Sequence, residues 1–514
     1  MTQHIYFDII YTYTVYRLIV TIMFIGIDLG TSSVKTILIN SNQETLASHT
    51  EPIKLLNPKN GYYEQNPEVW ITATFLCFEK MKQQQPKEFE IVESLAISGQ
   101  MHGATLIDKN LDVLRNCILW NDTRSMKECT EMTFIYPNIE EESGNLAMPG
   151  FTAPKILWIK KNEPEIFKKI YKILLPKDYL RFRLSGDFVT DMSDASGTLW
   201  FNVKNRNWST DLLNLTSISL DNMPQLVEGS ECSTYVEKKL AKKLGFKNNV
   251  IIAGGAGDQA AGAAGSGVIH SNQSVISLGT SGVYFSPSKN YSSNAKKAVH
   301  SFCHCLPNTW HHMSVMLSAT NCIDWISNTL DLNINKSFEY IEDYCLNILE
   351  ENNTPYFLPY LSGERTPHNS SNIRGSFHQI NTSTTKSAML YGVLEGVTFG
   401  IRNGYEIIEE INNKTEETYI VGGGSKSEFW ANFISSSINK KIIIGEDSNL
   451  GPSLGVARLA MMATNNFSKK EVFKKMPIKK ETHINEQLSI ILDKRYKKWL
   501  EIVSTNLQIA DKLL

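Results

Sequence analysis

The 514-residue sequence predicts an α/β protein built from two related domains that face one another. Two observations carry this. From Met23 onward, short β-branched runs alternate with longer amphipathic stretches, the pattern of strands packed against helices. In addition, residues 25–32, IGIDLGTS, are echoed by residues 275–281, VISLGTS, each a β run that ends in Leu-Gly-Thr-Ser. Each copy leads into a second β run, 34–39 and 283–285, so each reads as a hairpin with a glycine-containing turn. The repeat places a boundary near 265–275 and domains over 23–268 and 269–505. Residues 260–268, AAGAAGSGV, are small enough to serve as a hinge between them.

The individual elements follow from periodicity. Strands are predicted over 25–29, 34–39, 94–98, 250–253, 275–278 and 419–421, where β-branched residues cluster between turn formers. Helices are predicted over 67–82, 164–170, 319–330 and 386–409, where apolar positions recur at three and four. Pro164 suits a first helical turn, where a missing N–H is harmless.

Composition narrows the class. Hydrophobic residues at 42% and charged residues at 20% are enough to build a core, which excludes disorder, collagen-like repeats and coiled coil. Lys plus Arg at 51 against Asp plus Glu at 53 leaves a net charge of -2, so no global field recruits nucleic acid or anionic lipid. The 8 cysteines are scattered, which reads as reduced thiols in a cytoplasmic protein and not as a disulfide scaffold. Residues 1–22 are apolar, but Asp8 and Arg17 interrupt them and neither a preceding positive charge nor a small-residue cleavage site frames them. The expectation is a disordered leader or an upstream translation start, with the domain proper opening at Met23.

Several short motifs could carry chemistry. In Gly30-Thr31-Ser32 and Gly279-Thr280-Ser281, glycine admits close backbone approach, successive N–H groups converge, and hydroxyls add donors, which makes an anion nest suited to phosphate. An ordinary hairpin turn uses the same residues, and the recurrence of the motif favours the nest. Asp28 stands directly before the first turn, a position that makes sense if magnesium, held through water, lies between it and a phosphate. Gly422, Gly423 and Gly424 follow a predicted strand, with the spacing of neither a dinucleotide fingerprint nor a P-loop. A strand-to-helix turn explains them, and an adenosine pocket is the better reading after two phosphate nests. Asp258, in GGAGDQAAGAAG, is either a helix N-cap or the acceptor of a proton from a substrate hydroxyl. Gln100 and His102 follow a predicted strand, and Trp120, Asn121, Asp122 and Arg124 supply a polar set with one flat wall, a combination that suits a sugar. Cys303, His304, Cys305, His311 and His312 have zinc-ligand chemistry but not zinc-ligand spacing, and alternation along a strand accounts for them.

Taken in order, IGIDLGTSSVK, GYYEQNPEVW, SGQMHG, ILWNDTR, GNLAMPGFTAPKILW, LLPKDYLRFRLSG, DMSDASGTLW, GGAGDQAAGAAG, SLGTSG, FLPYLSGERTPHN, VGGGSKSEFW and GPSLGVARLA resemble the FGGY carbohydrate kinases from Met23 to beyond Ala460. The resemblance implies two ribonuclease-H-like domains of the actin-like ATPase type, with ATP and sugar in the cleft between them. It implies ATP-dependent phosphorylation of D-xylulose at its terminal hydroxyl, with Mg2+ as cofactor and a homodimer as the assembly. By residue, it assigns Asp258 as the catalytic base, Met101 and His102 as the sugar-contacting pair, and Asp28 as the acidic position near magnesium and phosphate. Gly30, Thr31, Gly279 and Thr280 fall in the phosphate hairpins, Gly423 and Gly424 in the adenosine motif, and Trp120 and Asp122 at the sugar wall. Met101-His102 separates the chain from the glycerol-phosphorylating branch, which places an Arg-Glu pair there. The rival readings are a kinase for another ketose or polyol, such as ribulose or glycerol, and an ATP-dependent sugar sensor.

Overall fold

The computed structural model describes residues 22–347, 354–412, 414–446 and 451–512. Residues 1–21, read above as a leader, lie outside the described residues. No helix among the described residues is long and apolar enough to cross a membrane.

The first lobe begins with three antiparallel strands, β1 (Met23–Leu29), β2 (Ser33–Asn40) and β3 (Thr45–Pro52), followed by the helix α1 (Glu68–Gln84). The strand β4 (Val92–Gly99) returns parallel to β1, in the register Asp28↔Ser98. Helices α2 (Thr152–Asn162) and α3 (Pro176–Ser185) lie in the long excursion that follows. The lobe then adds β5 (Cys232–Tyr235), β6 (Ile251–Ala253), β7 (Ala256–Gly257) and α4 (Asp258–Gly265). The sheet order is β5-β6-β4-β1-β2-β3, with β7 paired to the end of β4.

The second lobe repeats the plan. Antiparallel strands β8 (Gln273–Leu278), β9 (Gly282–Ser288), β10 (His300–Cys303) and β11 (Trp310–Met316) come first. Helices α5 (Thr320–Thr329), α6 (Ile334–Asn347) and α7 (Lys386–Ile411) follow. After them come β12 (Glu417–Val421), α8 (Glu428–Ile438), β13 (Ile442–Gly445), α9 (Gly451–Ala463), β14 (Ile478–Glu481) and α10 (Glu486–Lys512). The order β10-β11-β9-β8-β12-β13-β14 has β12 parallel to β8 and β13 parallel to β12. In both lobes, therefore, antiparallel strands, three in the first (β3-β2-β1) and four in the second (β10-β11-β9-β8), continue into two parallel ones, and the echoed Leu-Gly-Thr-Ser segments close the first strand of each.

Alternation along β1 sorts its side chains between two cores. Ile25, Ile27 and Leu29 pack with Trp70, Phe78, Leu95 and Ile97 beneath α1, while Phe24 joins Ala96, Ala260, Ala264 and Val456 on the other face. That second face is covered by α4 and α9, the helices that follow β7 in the first lobe and β13 in the second. They meet almost backbone to backbone: a Cβ at Gly455 would lie 1.8 Å from the Ala261 carbonyl, and one at Gly265 2.3 Å from the Gly451 carbonyl. α9 also lies flat on β1, where a Cβ at Gly26 would fall 2.0 Å from the Ser453 carbonyl. The Arg458 guanidinium donates to the Ala264 and Gly265 carbonyls at 2.9 Å, satisfying the open end of α4.

The run 260–268 is thus a buried helix and its C-terminal turn, not the flexible hinge that its composition suggested. Alanine and glycine are needed there because two helices and a sheet meet at close range. The cysteine and histidine residues at 303–312 lie on the neighbouring strands β10 and β11 and the turn joining them, in the register Phe302↔His311 and Ser301↔His312. Among the described residues, no group of three His, Cys, Asp or Glu side chains could hold a metal ion.

Two glycines of this contact should respond in opposite ways. Gly455→Ala forces a backbone shift and should destabilise by about 1–3 kcal/mol. Gly262→Ala, whose new Cβ meets nothing closer than Pro452 Cγ at 3.9 Å, should leave stability unchanged or raise it by up to about 1 kcal/mol. Denaturant or thermal unfolding of the two variants checks this.

Candidate active site

The site assembles at the carboxyl ends of parallel strands, where an open α/β sheet presents its crevice. Asp28 on β1, Ser98 on β4 and Ala256 on β7 are lateral neighbours, and α4 begins two residues beyond Ala256 with Asp258. Ser98 Oγ donates to Asp28 Oδ1 at 2.8 Å. Desolvation raises the Asp28 carboxyl above the usual range, opposed by that hydrogen bond and by the charge of Lys35. Asp258 is pushed up to about 6, first by desolvation and then by the charge of Asp28, while its hydrogen bonds with Gln259 pull the other way. One of these is the Gln259 N–H to Asp258 Oδ1 bond at 2.7 Å. Gly257, with extended backbone, occupies the cap position and Asp258 the first helical turn, so the N-cap explanation for Asp258 does not hold. Beyond its bond to the Gln259 N–H, its carboxylate lies close enough to Asp28 to feel that charge.

Both hairpins close tightly. Gly30 N–H donates to the Ser33 carbonyl at 3.0 Å and Gly279 N–H to the Ser281 carbonyl at 3.1 Å. The first turn carries the Trp120 indole, whose Nε1–H donates to Thr31 Oγ1 at 3.0 Å. Trp120 is 38% exposed, so it is not core packing. The second turn is pinned to the start of α5 by Ala319 N–H to the Thr280 carbonyl and Thr320 N–H to the Gly279 carbonyl, at 2.8 and 3.0 Å.

Beside it, Gly422 adopts φ +95°, and a Cβ there would lie 2.6 Å from the Leu278 carbonyl. Gly424 is packed against the Leu278 side chain, whereas Gly423 has open space where a Cβ would be. Gly423 and Gly424 line a cavity of about 630 Å³ together with Thr320, Asp324, Phe338 and Lys426. The glycine run and the second hairpin therefore share one wall.

The Met-His pair sits over the start of α4. A Cβ at Gly257 would lie 2.8 Å from Met101 Sδ. His102 adopts φ +70°, a left-handed conformation that few non-glycine residues hold without support. Support comes from three sides. Its Nδ1 lies 2.6 Å from the Gly197 carbonyl, and its own carbonyl accepts from Thr152 Oγ1 at 3.1 Å and Lys155 Nζ at 2.9 Å. Its ring packs against Phe151 at 4.8 Å between centroids. Because a carbonyl only accepts, Nδ1 carries the proton, and Nε2 of the neutral ring is left as an acceptor. Burial lowers the pKa of the ring to about 3, which keeps it neutral.

Asp122 has another role than the one expected. It is 1% exposed, and its two oxygens accept from the Arg124 guanidinium, the Arg124 N–H and the Tyr63 N–H. No oxygen remains for a sugar, so Asp122 acts by fixing the loop that presents Trp120. Ser98, Lys155 and Gly197 were missed as functional positions. Lys155 is fully buried, spans the His102 and Gly150 carbonyls, and is lowered to about 7 by burial. Its motif, GNLAMPGFTAPKILW, and that of Gly197, DMSDASGTLW, were visible in the sequence, but nothing local shows that they converge on His102.

Comparison with known proteins agrees with this architecture. The model of the FGGY family of carbohydrate kinases, N-terminal domain, matches residues 23–265, and that of the C-terminal domain matches residues 274–464. The chain belongs to the FGGY family of carbohydrate kinases, and it is a kinase that uses ATP. It is 44% identical over 444 residues to the xylulose kinase of Escherichia coli (strain K12), covering 86% of this chain and 90% of the relative. It is 37% identical over 448 residues to the xylulose kinase of Bacillus subtilis (strain 168), covering 87% and 89%. The crystal structure of a xyloylose kinase from Brucella ovis superposes with a TM-score of 0.90 at 39% identity, covering 94% of this chain and 99% of that one.

Gly197→Ala tests how His102 is held. A Cβ there would sit 2.6 Å from His102 Nδ1, so the ring must move. The sugar KM should rise at least about tenfold, the loss of roughly one good hydrogen bond, while the ATP KM stays within about twofold. Initial-rate kinetics in both substrates check this.

Proposed function

We propose that the chain transfers the γ-phosphoryl group of ATP to the terminal hydroxyl of D-xylulose, giving D-xylulose 5-phosphate and ADP. The xylulose kinases named among the relatives support the sugar. The observation that carries the chemistry is the pairing of Asp258 with Asp28 at the ends of strands that flank β4, the first of them lifted to about 6 by desolvation and then by the charge of the second. Phosphoryl transfer needs little covalent help from the protein, but it does need one acceptor for the hydroxyl proton and strict positioning.

On this reading Asp258 orients the sugar hydroxyl and takes its proton. Met101 and neutral His102 hold the sugar, the latter through the acceptor Nε2, and the Trp120 indole gives it an apolar wall. The amides of Thr31-Ser32 and Thr280-Ser281 receive phosphate oxygens from the two lobes, while Gly30 and Gly279, whose own N–H groups close the hairpins, allow the close approach. Gly423 and Gly424 form the floor of the adenosine cavity. The donor set fits magnesium: one hard carboxylate, Asp28, beside an anion nest, with no cage of acidic ligands among the described residues. Magnesium keeps several waters and needs few carboxylates. Bound near Asp28, it would supply charge neutralisation to the transferring phosphoryl group. The domains over 23–268 and 269–505 would close on each other around the substrates, excluding water.

Asp258→Asn should lower kcat by about 10²–10⁴ with ADP affinity unchanged, read by coupled ADP release and calorimetry. The base must be ionised, so turnover should fall as pH drops through about 6 in the wild-type kcat/KM profile. Asp28→Asn removes the charge that raises Asp258, and its residual activity should show that acid limb displaced to lower pH. D-xylulose should exceed D-ribulose, L-ribulose and glycerol in a side-by-side panel, and a preference for another sugar would overturn the substrate assignment. Gly423→Val adds a side chain where nothing lies within 4 Å, so it should weaken ADP binding at least about tenfold while leaving the unfolding midpoint in place.

A further inference from the structure

Behind the strand ends lies a group of charges that the reaction does not touch. α3 carries Lys177, Asp178 and Arg181, and the 189–196 segment carries Asp191 and Asp194, all five at 0% exposure. Lys177 Nζ lies 2.5 Å from Asp178 Oδ1, 2.8 Å from Asp191 Oδ1 and 3.4 Å from Asp194 Oδ2. Arg181 Nη1 stands 3.8 Å from Asp178 Oδ1. Three carboxylates thus share two cations in a site closed to water. Such an arrangement is poor value for stability, since apolar packing of the same volume is often as good or better. What it does offer is directional hydrogen bonds.

Those bonds run to one place. Asp191 Oδ2 accepts from Ser193 N–H at 2.8 Å and Ser193 Oγ–H at 2.5 Å. Ser193 Oγ, its proton so committed, accepts from Gly257 N–H at 3.1 Å. Arg181 donates through Nη2 to the Gly254 carbonyl and through Nη1 to the Val189 carbonyl. The backbone from Gly254 to Gly257 is therefore gripped at both ends, and the residue after it is Asp258. The fit is close. A Cβ at Gly254 would lie 2.1 Å from the Glu228 carbonyl and one at Gly255, where φ is +76°, 2.2 Å from the Ile97 carbonyl. The Lys177 stem reaches the underside of β4, 3.1 Å from where a Gly99 Cβ would be.

We propose that this cluster is the positioning apparatus of Asp258: Lys177 through Asp191 and Ser193, and Arg181 directly, hold residues 254–257 so that the carboxylate is aimed at the sugar hydroxyl. The inference rests on reading Asp258 as the proton acceptor. Lys177, Arg181, Asp191 and Ser193 are positioning residues, because none of them reaches the cleft.

Ser193→Ala is the decisive variant, because it removes the grip on Gly257 and leaves every charge in place. Its kcat should fall about tenfold to a hundredfold, the scale of a small misplacement of a catalytic group, with the sugar KM and ADP Kd within about twofold. Its unfolding midpoint should stay within a few degrees of wild type. Ser193→Thr, which keeps the hydroxyl, should restore at least half of the lost kcat. Lys177→Met should show the same split between kcat and KM, more strongly, and if it yields no folded protein Ser193→Ala and Ser193→Thr decide alone. Wild-type kcat in Ser193→Ala, alongside an inactive Asp258→Asn, overturns the positioning role and leaves the base assignment standing. Loss of kcat that Ser193→Thr fails to restore, or that merely follows the unfolded fraction, also overturns it. Activity in Asp258→Asn would instead remove the base assignment, and the proposal with it.

Discussion

The contact between α4 and α9 sets everything else in the molecule. α4 follows β7 and α9 follows β13, and the two cross where neither Gly455 nor Gly265 has room for a Cβ. Backbone contact of this kind fixes the spacing of the two lobes at this one point, because there is no side-chain layer there to compress or rearrange, and a closing movement would pivot about it. It also pins α9 onto β1, so the end of the first strand is held by residues from both halves of the sequence. Asp28 and Asp258 are neighbours as a result of that arrangement: one closes β1, the other opens the helix that β1 and α9 enclose.

Charge is distributed in two layers around this joint. Toward the cleft, the groups are few and shifted toward their neutral forms: Asp258 up to about 6, Asp28 upward, and His102 down to about 3. Behind the strand ends, Lys177 and Arg181 are packed without water among three carboxyl groups, of which Asp194 is raised well above the usual carboxylate range, first by desolvation. The separation has a physical logic. A carboxylate can accept a proton near neutral pH only if its charged form is penalised, and desolvation together with one like charge supplies the penalty. A fixed cation close to Asp258 would undo that shift, so Lys177 and Arg181 act through a hydroxyl and a carbonyl.

Much of the fold was legible from the sequence because it was written twice. The echo of IGIDLGTS in VISLGTS pointed to two lobes, and both segments do close the first strand of a sheet whose antiparallel strands continue into parallel ones. Predicted strands such as 25–29 and 94–98 are found inside β1 and β4 because their β-branched runs leave little alternative. The region 260–268 was misread for a definite reason. A run of alanine and glycine has the same composition whether it is a flexible linker or a helix squeezed between a sheet and another helix, and only the partner, near 455, distinguishes them. Asp122 was misassigned for a related one, since its partners Tyr63 and Arg124 saturate it only once the loop is folded.

Apart from Ser98, which bonds the Asp28 side chain directly, the positions missed outright share a property. Gly197, Lys155 and Ser193 contribute to the site through main-chain atoms, accepting from a ring nitrogen, bridging two carbonyls or holding one N–H. Residue type reveals which side chains can do chemistry, so carboxylates, histidine and tryptophan stand out when a chain is read in one dimension. It does not reveal which backbone a side chain will grip, because that depends on long-range register. Kinase chemistry makes the gap consequential: with so little covalent work to do, the protein's contribution is placement, and placement is carried by these supporting contacts. The left-handed backbone of His102 illustrates this, since its conformation is unfavourable alone and persists because Thr152, Lys155 and Gly197 each hold a different atom of it.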